Sequence, residues 1–388
     1  MKMRERAGHR KTEKDRADNP KMSGDNALKR RRPLKGTGKM RILFMGTPDF
    51  AVPVLRYLME THTLVCVVTK PDKPKGRGKQ LAAPPVKELA TAAGIPVLQP
   101  ESVRTEAFCD ALRAYDAELF VTAAYGKILP PEVLRIPPRG CVNVHASLLP
   151  KYRGAAPIWH CVINGEAETG ITTMMTDAGM DTGDILMADR VPIGENMTMG
   201  ELHDVLAELG VVTLDRTLKA MESGTLTRTP QDHALATYAP MVERETGHIN
   251  WSASARQIHD LVRGTNPFPV SYTFWGEKRL KIWKTMVLKE SAEEEARPGS
   301  PAAAACAEAA SSAALHAAEP AQRGNVRRGT AQPGTVPPGT VLRADGNGID
   351  VAAGSGVVRI LELQGESSKR MSAGAFLNGL RELPTHFV

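Results

Sequence analysis

Short apolar runs separated by longer segments are the feature that most constrains the fold of this chain. Four such runs, Arg41–Met45, Leu64–Val68, Leu119–Ala123 and Cys141–Val144, are rich in Val, Ile, Leu and Phe. They have the length of buried strands. Predicted helices lie between them, and strands that alternate with helices usually pair in parallel. The sequence therefore predicts an α/β fold with a doubly wound, mostly parallel sheet.

The sequence changes character after Tyr238. Five short strands are predicted in this part: Val270–Trp275, Arg279–Leu288, Thr340–Leu342, Ile349–Ala352 and Val357–Leu363. Five short strands with turns between them are typical of a small OB-like β-barrel, a fold that often binds nucleic acids. Residues 291–339, rich in Ala, Pro, Gly and Glu, interrupt this region. Because they bury too little apolar surface to offset their ordering entropy, we expect a disordered insertion.

These patterns divide the chain into four parts. Residues 1–39 hold 14 of the 50 Lys and Arg but only 5 of the 43 Asp and Glu, and we expect a disordered basic tail. Residues 40–226 form the predicted catalytic domain, residues 227–247 a linker, and residues 248–388 the OB-like domain. The basic charge of the chain thus belongs to the tail and not to the folded body.

Cysteine usage and hydropathy indicate the compartment. The 5 cysteines include no C-x-x-C pair, which favours reduced thiols and argues against a structural zinc site. No apolar run approaches the ~20 residues that a membrane-spanning helix needs. The basic N-terminus is not followed by the apolar segment of a signal peptide. We therefore expect a cytoplasmic protein without membrane association. We also expect a monomer.

Two polar side chains mark the end of the fourth predicted strand. Asn143 and His145 are two residues apart, so both project from the same side of the strand. Chemistry in open α/β sheets usually lies at this carboxyl edge. Such a pair taken alone is more often a structural hydrogen bond. The loop Thr176–Asp184 holds three carboxylates among glycines; its spacing does not fit an EF-hand, and we favour one functional Asp over a metal site.

A basic segment follows the second predicted strand. Lys70–Lys79 contains five Lys and Arg, two prolines and two glycines, a composition that predicts an unburied, mobile loop. An ordinary solvated loop is one interpretation. The other is a flap that closes on a phosphate-rich partner, because Lys and Arg contacts to phosphates dominate nucleic-acid affinity. The composition alone favours neither.

Three segments together resemble the folate-dependent formyltransferases. Asn143–His145 with Ser147–Pro150 is similar to the centre of that family, and Asp181 has the spacing of its third catalytic residue. The continuation Arg153–Ile158 and the loop Lys70–Lys79 resemble the branch that formylates initiator methionyl-tRNA. The resemblance covers about residues 40–288 and 340–388. It implies 10-formyltetrahydrofolate as co-substrate and an OB-like second domain; the basic tail and the insertion depart from it.

The resemblance implies a role for each catalytic residue. Formyl transfer needs an amine to attack the formyl carbon, with an oxyanion developing. His145 is the candidate to take the proton or to hydrogen-bond the oxyanion, since its ordinary pKa of ~6.5 lies near working pH. Asn143 offers an amide N–H for the oxyanion, a contribution of about 3–4 kcal/mol in comparable donors. Asp181 would orient His145 and stabilise its charged form. We expect neither a metal nor a covalent intermediate.

The resemblance also implies the binding residues. The folate pocket would be lined by Ser147, Leu148, Leu149 and Pro150, and tRNA would be held by Lys75, Arg77 and Lys79. Two alternatives remain. One is another folate formyltransferase or a formyl-folate hydrolase acting on a small amine or nucleotide. The other is an RNA-binding or scaffolding module without catalysis, which would have no need of the Asn143, His145 and Asp181 set.

Overall fold

The structure is a computed structural model that describes residues 39–75, 80–289 and 336–388, except for the side chains of Lys75, Gln80 and Lys289. The described residues belong to one unit, Lys39–Val388. The predicted tail, apart from Lys39, and the predicted insertion up to residue 335 lie outside the described residues. Within the described residues, no helix combines the length and the apolar character needed to cross a bilayer.

Strands and helices alternate along the first half of the chain. In chain order the elements are β1 (Arg41–Gly46), α1 (Val52–Thr61), β2 (Thr63–Val68), β3 (Lys73–Lys75), β4 (Gln80–Ala82), α2 (Pro85–Ala92), β5 (Val97–Leu98), α3 (Glu106–Arg113), β6 (Leu119–Ala123), α4 (Pro131–Leu134), β7 (Cys141–His145), β8 (Arg153–Gly154), α5 (Pro157–Ile163), β9 (Glu168–Met175) and β10 (Ile185–Pro192).

The second half begins with a long helix and continues mostly as strands. Its elements are α6 (Met199–Ser223), β11 (Tyr238–Ala239), α7 (Ala255–Gly264), β12 (Ser271–Trp275), β13 (Lys278–Lys289), β14 (Val341–Asp345), β15 (Gly348–Ala352), β16 (Val357–Gln364), β17 (Met371–Ser372) and α8 (Ala373–Asn378).

Seven strands form the main sheet, in the order β10-β9-β7-β6-β1-β2-β5. The five strands from β7 to β5 run parallel, so the predicted mostly parallel α/β sheet is confirmed. Strands β9 and β10 are antiparallel to their neighbours. A loop without a crossover helix joins β9 to β10, and such a connection produces an antiparallel pair.

Side chains of β1 divide between the two faces of the sheet. Ile42 and Phe44 pack into one apolar cluster with α1 and α6. Leu43 and Met45 pack into a second cluster with α3 and α4. Because side chains alternate along a strand, a strand covered on both faces needs a continuous apolar run. This is why the four short apolar runs of the sequence could be recognised as strands.

Helix α6 supports the strand that carries the predicted catalytic pair. It begins with a capping box in which Thr198 and Glu201 bond each other's backbone N–H groups, and it ends at Gly224 with φ 71°. Both ends carry sequence signals that predict them: Thr198-Met199-Gly200-Glu201 has the capping-box pattern, and Gly224 can adopt the left-handed conformation of a helix C-cap. A Cβ on Gly210 would lie 3.2 Å from Val144 Cγ1. The helix therefore lies close against β7, between Asn143 and His145.

The second sheet is antiparallel, in the order β12-β13-β16-β15-β14, with β17 paired to β16. All five predicted strands are present, so the predicted second region of short strands, expected to be OB-like, is confirmed as an antiparallel sheet after the α/β sheet. Helix α7 covers this sheet through Ile258 and Val262, which are buried with Trp251 in its core. Residues Met371–Asn378 form a short strand and a helix that the sequence pattern does not predict.

Two segments expected to be loops contain paired backbone. Strand β3, inside the basic segment, pairs with β4, which begins directly after that segment; we call this pair the hairpin. In the predicted linker, β11 pairs in parallel with β8. This pairing brings residues that follow α6 back to the edge of the first half, beside the carboxyl end of β7.

Candidate active site

Asn143 and His145 lie on β7 as the alternation predicts. The Asn143 carbonyl Oδ1 accepts a hydrogen bond from the Thr122 hydroxyl of β6 at 2.7 Å. This bond fixes the side-chain amide, so its N–H group points away from β6 and towards the loop after β9. His145 is 5% exposed. Both side chains are therefore held by the sheet before any substrate binds.

Asp181 meets this pair from the loop between β9 and β10. The distance from Asn143 Nδ2 to Asp181 Oδ1 is 3.4 Å, and that from His145 Nδ1 to Asp181 Oδ2 is 3.7 Å. The backbone N–H of Gly154 donates to Asp181 Oδ2 at 2.9 Å. The three residues singled out from the sequence thus converge at one place, although 38 residues separate Asn143 from Asp181.

A backbone carbonyl fixes the tautomer of His145. His145 Nε2 lies 3.0 Å from the carbonyl oxygen of Tyr152. A carbonyl can only accept, so Nε2 carries a proton, and in the neutral ring Nδ1 holds the lone pair. Nδ1 is the nitrogen that faces Asp181. The ring is therefore oriented by Tyr152, and Asp181 is placed to stabilise a proton gained on Nδ1.

Both loops that meet His145 contain a residue with a left-handed backbone. Tyr152 has φ 60° and Asp181 has φ 53°, a region that non-glycine residues rarely occupy. The Tyr152 hydroxyl donates to Glu166 Oε1 at 2.6 Å. Burial, and then this hydrogen bond, raise the pKa of the Tyr152 hydroxyl, so it stays a donor. Side-chain anchoring thus offsets the cost of a backbone conformation that aims the Tyr152 carbonyl at His145.

The rest of the Asp181 loop is shaped by turn chemistry. Asp177 Oδ1 accepts from the Gly179 N–H at 3.1 Å and from the Thr182 hydroxyl at 2.7 Å. A Cβ on Gly183 would lie 1.7 Å from the Met175 carbonyl oxygen, so only glycine fits there. Among the described residues, no three His, Cys, Asp or Glu side chains are grouped as a metal site requires.

The predicted folate-pocket residues form the turn directly after β7. The Ser147 hydroxyl donates to the Lys151 carbonyl at 2.7 Å. Ser147 is fully buried, so this hydrogen bond stabilises the turn from its buried side. Leu148 packs over Gly170, where a Cβ would lie 2.7 Å from Leu148 Cδ2. Leu149 is buried and Pro150 half-buried. The turn thus leaves Leu148 and Pro150 partly exposed, three and five residues after His145 in the sequence.

The predicted tRNA-binding residues lie at or inside the gap between described residues 75 and 80. Arg77 and Lys79 lie outside the described residues, and Lys75 is described only as backbone in β3. The base of this hairpin is described: Asp72 accepts hydrogen bonds from Lys87 Nζ at 2.7 Å and from Gln99 Nε2 at 2.7 Å. The hairpin therefore starts from a fixed point beside β2.

The sequence pattern does not predict three partners of the site. Thr122 could have been found, because a hydroxyl in the apolar run of β6 stands out and pairs in register with Asn143. Tyr152 acts through its backbone, which leaves no signal in the sequence. Gln231 donates to the carbonyls of Asp181 and Gly183 at 2.9 and 2.7 Å. It lies in a segment that reads as a plain linker.

This arrangement suits transfer of an acyl group. It combines a lone pair on a buried imidazole, an amide N–H donor with fixed direction and a carboxylate that can stabilise imidazolium. A nucleophile, once deprotonated by His145, can form a tetrahedral intermediate whose oxyanion meets Asn143.

Comparison with known families gives two adjacent matches. Residues 40–218 match the family described as formyl transferase. Residues 241–381 match the formyl transferase C-terminal domain. The boundary between the two matches falls in the segment that contains Gln231 and β11.

Solved formyltransferases share the fold. The sugar 3N-formyl transferase WlaRD, solved with dTDP and 5-N-formyl-THF, superposes with a TM-score of 0.55 at 15% identity, over 86% of this chain and all of that chain. HypX from Aquifex aeolicus, solved with tetrahydrofolic acid, gives a TM-score of 0.51 at 16% identity, over 89% of this chain and 49% of that one. At these identities the likeness extends to the fold alone.

Curated relatives are much more similar in sequence. A methionyl-tRNA formyltransferase of Acetivibrio thermocellus is 50% identical over 341 residues, which are 88% of this chain and 96% of the relative. Another, from Ruminiclostridium cellulolyticum, is 45% identical over the same shares of both chains. The chain therefore belongs to the formyl transferase family, in the branch formed by the methionyl-tRNA formyltransferases.

Proposed function

We propose that this protein transfers the formyl group of 10-formyltetrahydrofolate to the amino group of initiator methionyl-tRNA, giving N-formylmethionyl-tRNA for translation initiation. The observation that carries the proposal is the convergence of Asn143, His145 and Asp181, with His145 Nδ1 3.7 Å from Asp181 Oδ2. The relatives that are 45–50% identical over most of their length support the choice of methionyl-tRNA as acceptor.

The three side chains divide the work of one acyl transfer. His145 takes a proton on Nδ1 from the attacking amine, as its new C–N bond to the formyl carbon forms. Asn143 donates its amide N–H to the oxyanion of the tetrahedral intermediate. His145 then returns the proton to the leaving nitrogen as the old C–N bond breaks. Asp181 stabilises the imidazolium between these steps, and tetrahydrofolate and the formylated amine leave.

The turn after β7 fits the folate co-substrate. Leu148 and Pro150 are partly exposed and would offer apolar surface to a flat heteroaromatic ring, while the buried residues Ser147 and Leu149 hold the turn. The Ser147 carbonyl accepts from the Thr172 hydroxyl at 2.7 Å, and the same hydroxyl accepts from the Leu149 N–H at 3.1 Å. The apolar wall is thus tied to β9 before folate arrives.

The basic hairpin and the second sheet are the proposed tRNA contacts. Lys75, Arg77 and Lys79 would bind the acceptor end, because their hairpin leaves the main sheet beyond the carboxyl end of β2, the edge to which β7 also points. Residues 40–226 would hold the chemistry and residues 248–388 a second RNA contact. Buried free thiols at Cys66, Cys109, Cys141 and Cys161 suit a reducing cytoplasm, where we place the enzyme as a monomer.

A panel of acceptors tests this function. The purified protein is given 10-formyltetrahydrofolate with initiator methionyl-tRNA, elongator methionyl-tRNA or glycinamide ribonucleotide, and the formylated product is quantified. We expect rapid formylation of the initiator tRNA only. Formylation of glycinamide ribonucleotide in preference to tRNA, or release of formate without any acceptor being formylated, would contradict the proposal.

A further inference from the structure

Residues 229–239, which we call the strap, connect α6 to the second half and lie along both loops of the site. At its start, Thr229 and Ile185 exchange backbone hydrogen bonds of 2.8 and 2.9 Å. At its end, β11 pairs with β8, and a Cβ on Gly154 would lie 2.9 Å from the Ala239 carbonyl oxygen. The strap is therefore packed against the site and is not a free connection.

Gln231, the third residue of the strap, holds the Asp181 loop. Its side chain Nε2 donates to the carbonyl of Asp181 at 2.9 Å and to that of Gly183 at 2.7 Å. Gln231 is 7% exposed, so water does not replace these bonds readily. Both N–H groups of the amide donate to the backbone of a single loop, one on each side of Thr182.

Arg153 fixes the direction of the Gln231 amide. Gln231 Oε1 accepts from Arg153 Nε at 3.1 Å and from Nη2 at 2.6 Å. A guanidinium can only donate, so the amide oxygen must face it and the N–H groups must face the loop. Arg153 is 2% exposed, and within the described residues it forms no salt bridge. The side chain of this buried cation therefore bonds Gln231, whose amide it orients, and His233 Nδ1, 3.1 Å away.

The strap also holds the loop that orients His145. The Tyr152 N–H donates to the Thr237 hydroxyl at 2.8 Å, and the Arg153 N–H donates to the Thr237 carbonyl at 2.8 Å. These bonds fix the peptide whose carbonyl sets the tautomer of His145. One short segment is therefore bonded to the loop of Asp181 and to the loop that aims His145.

We propose that Gln231 is a positioning residue that sets Asp181 against His145, with Arg153 directing its amide. The inference rests on the proposed function for the identity of the reaction. Asp181 has a left-handed backbone, φ 53°, which a mobile loop would not keep without support. Gln231 supplies that support at the residue itself. Because the strap is bonded to both loops of the site, the site is complete only when the strap lies in place. The strap also leads into the second half of the chain.

A double-mutant cycle tests the positioning role. Gln231→Glu keeps an acceptor for Arg153 but sets carboxylate oxygens against two carbonyls; Gln231→Met removes both sets of bonds. Each variant should lower kcat by about 10²-fold, the cost expected for a misplacement of about 1 Å, with little change in KM. In an Asp181→Ala background the same changes should cost less than about threefold, since Gln231 acts through Asp181.

A partly buried hydrogen bond elsewhere in the first half is the control. The Tyr57 hydroxyl of α1 donates to Asp215 Oδ1 of α6 at 2.8 Å, so Tyr57→Phe removes a hydrogen bond away from the site and should leave kcat unchanged. Equal losses from the Gln231 variants with and without Asp181, or a normal kcat for folded Gln231→Glu, overturn the proposal. Transfer is followed on whichever acceptor the wild type formylates, so a wrong acceptor would contradict only the proposed function.

Discussion

At the scale of single residues, His145 is held by a backbone carbonyl and not by a carboxylate. In catalytic triads an Asp usually takes the N–H of the imidazole, leaving the far nitrogen to act as base. Here the Tyr152 carbonyl takes Nε2, 3.0 Å away, and Nδ1 faces Asp181. In the proposed mechanism, the carboxylate would therefore act on the proton while Nδ1 holds it. It can stabilise imidazolium without deciding the tautomer.

His259 shows the opposite use of a histidine. It is buried where α7 meets the first half, with Nδ1 3.0 Å from the Thr285 hydroxyl and Nε2 3.1 Å from the Glu195 carbonyl. Burial lowers the pKa of His259 to about 4, with help from the cations Arg256 and Arg263 and against the hydrogen bond with the Glu195 carbonyl, which raises it. The neutral ring is the form that fits this junction.

Stability should therefore fall in acid because of His259. The unfolded chain binds this proton near pH 6.5 and the folded chain only near pH 4, so stability is complete above pH 6.5 and declines as pH falls towards 4. The loss reaches about 3 kcal/mol. Denaturant unfolding at several pH values measures it. Replacing the ring in His259→Gln, whose amide can still donate to Glu195, should flatten the profile; parallel profiles for both proteins would refute this.

At the scale of elements, most of the architecture follows from local patterns in the sequence. The apolar runs predict β1, β2, β6 and β7, and the capping box predicts the start of α6. Strands β8 and β11, of two residues each, have no recognisable pattern in the sequence, because they form only when distant segments meet. The role of Gln231 cannot be predicted from the sequence for the same reason: tertiary structure brings its partners Asp181 and Arg153 to it.

The start of α6 offers a direct test of local stabilisation. Thr198 accepts from the Glu201 N–H at 3.3 Å, and Glu201 accepts from the Thr198 N–H at 2.8 Å. Thr198→Ala removes the cap and should lower the free energy of unfolding by about 1 kcal/mol. The same substitution at Thr91, exposed within α2, should be nearly neutral. A loss at Thr91 as large as that at Thr198 would mean that the cap contributes nothing specific.

At the scale of the whole molecule, hydrogen bonds join the two halves at several places. The strap and His259 provide some of them. Another is Arg263, which donates to the carbonyls of Gly194 and Met197 at 3.3 and 3.1 Å and pairs with Asp260 at 2.7 Å. The junction is thus held in part by specific hydrogen bonds. An RNA held by the second half would meet a first half of fixed orientation.

The hairpin of β3 and β4 should affect tRNA without affecting folate. In the sequence, Arg77 lies between β3 and β4, and a guanidinium can bond a phosphate in two places or stack on a base. Arg77→Leu should reduce formylation of methionyl-tRNA severely while folate binding survives, and Arg77→Lys should be intermediate. Arg104 is also exposed and provides the control, because Arg104→Leu should leave formylation of methionyl-tRNA unchanged. Normal formylation by Arg77→Leu would leave tRNA recognition to the second sheet.

The central claim is that Asn143, His145 and Asp181 act as one unit in formyl transfer. Single-turnover formylation of methionyl-tRNA measures it for the three alanine variants and the triple variant, with His203→Ala on α6 as the control. We predict losses of about 10³-fold or more for each single variant and a triple variant little worse than the worst single. The control should match wild type. Near-normal turnover by folded His145→Ala would contradict the account.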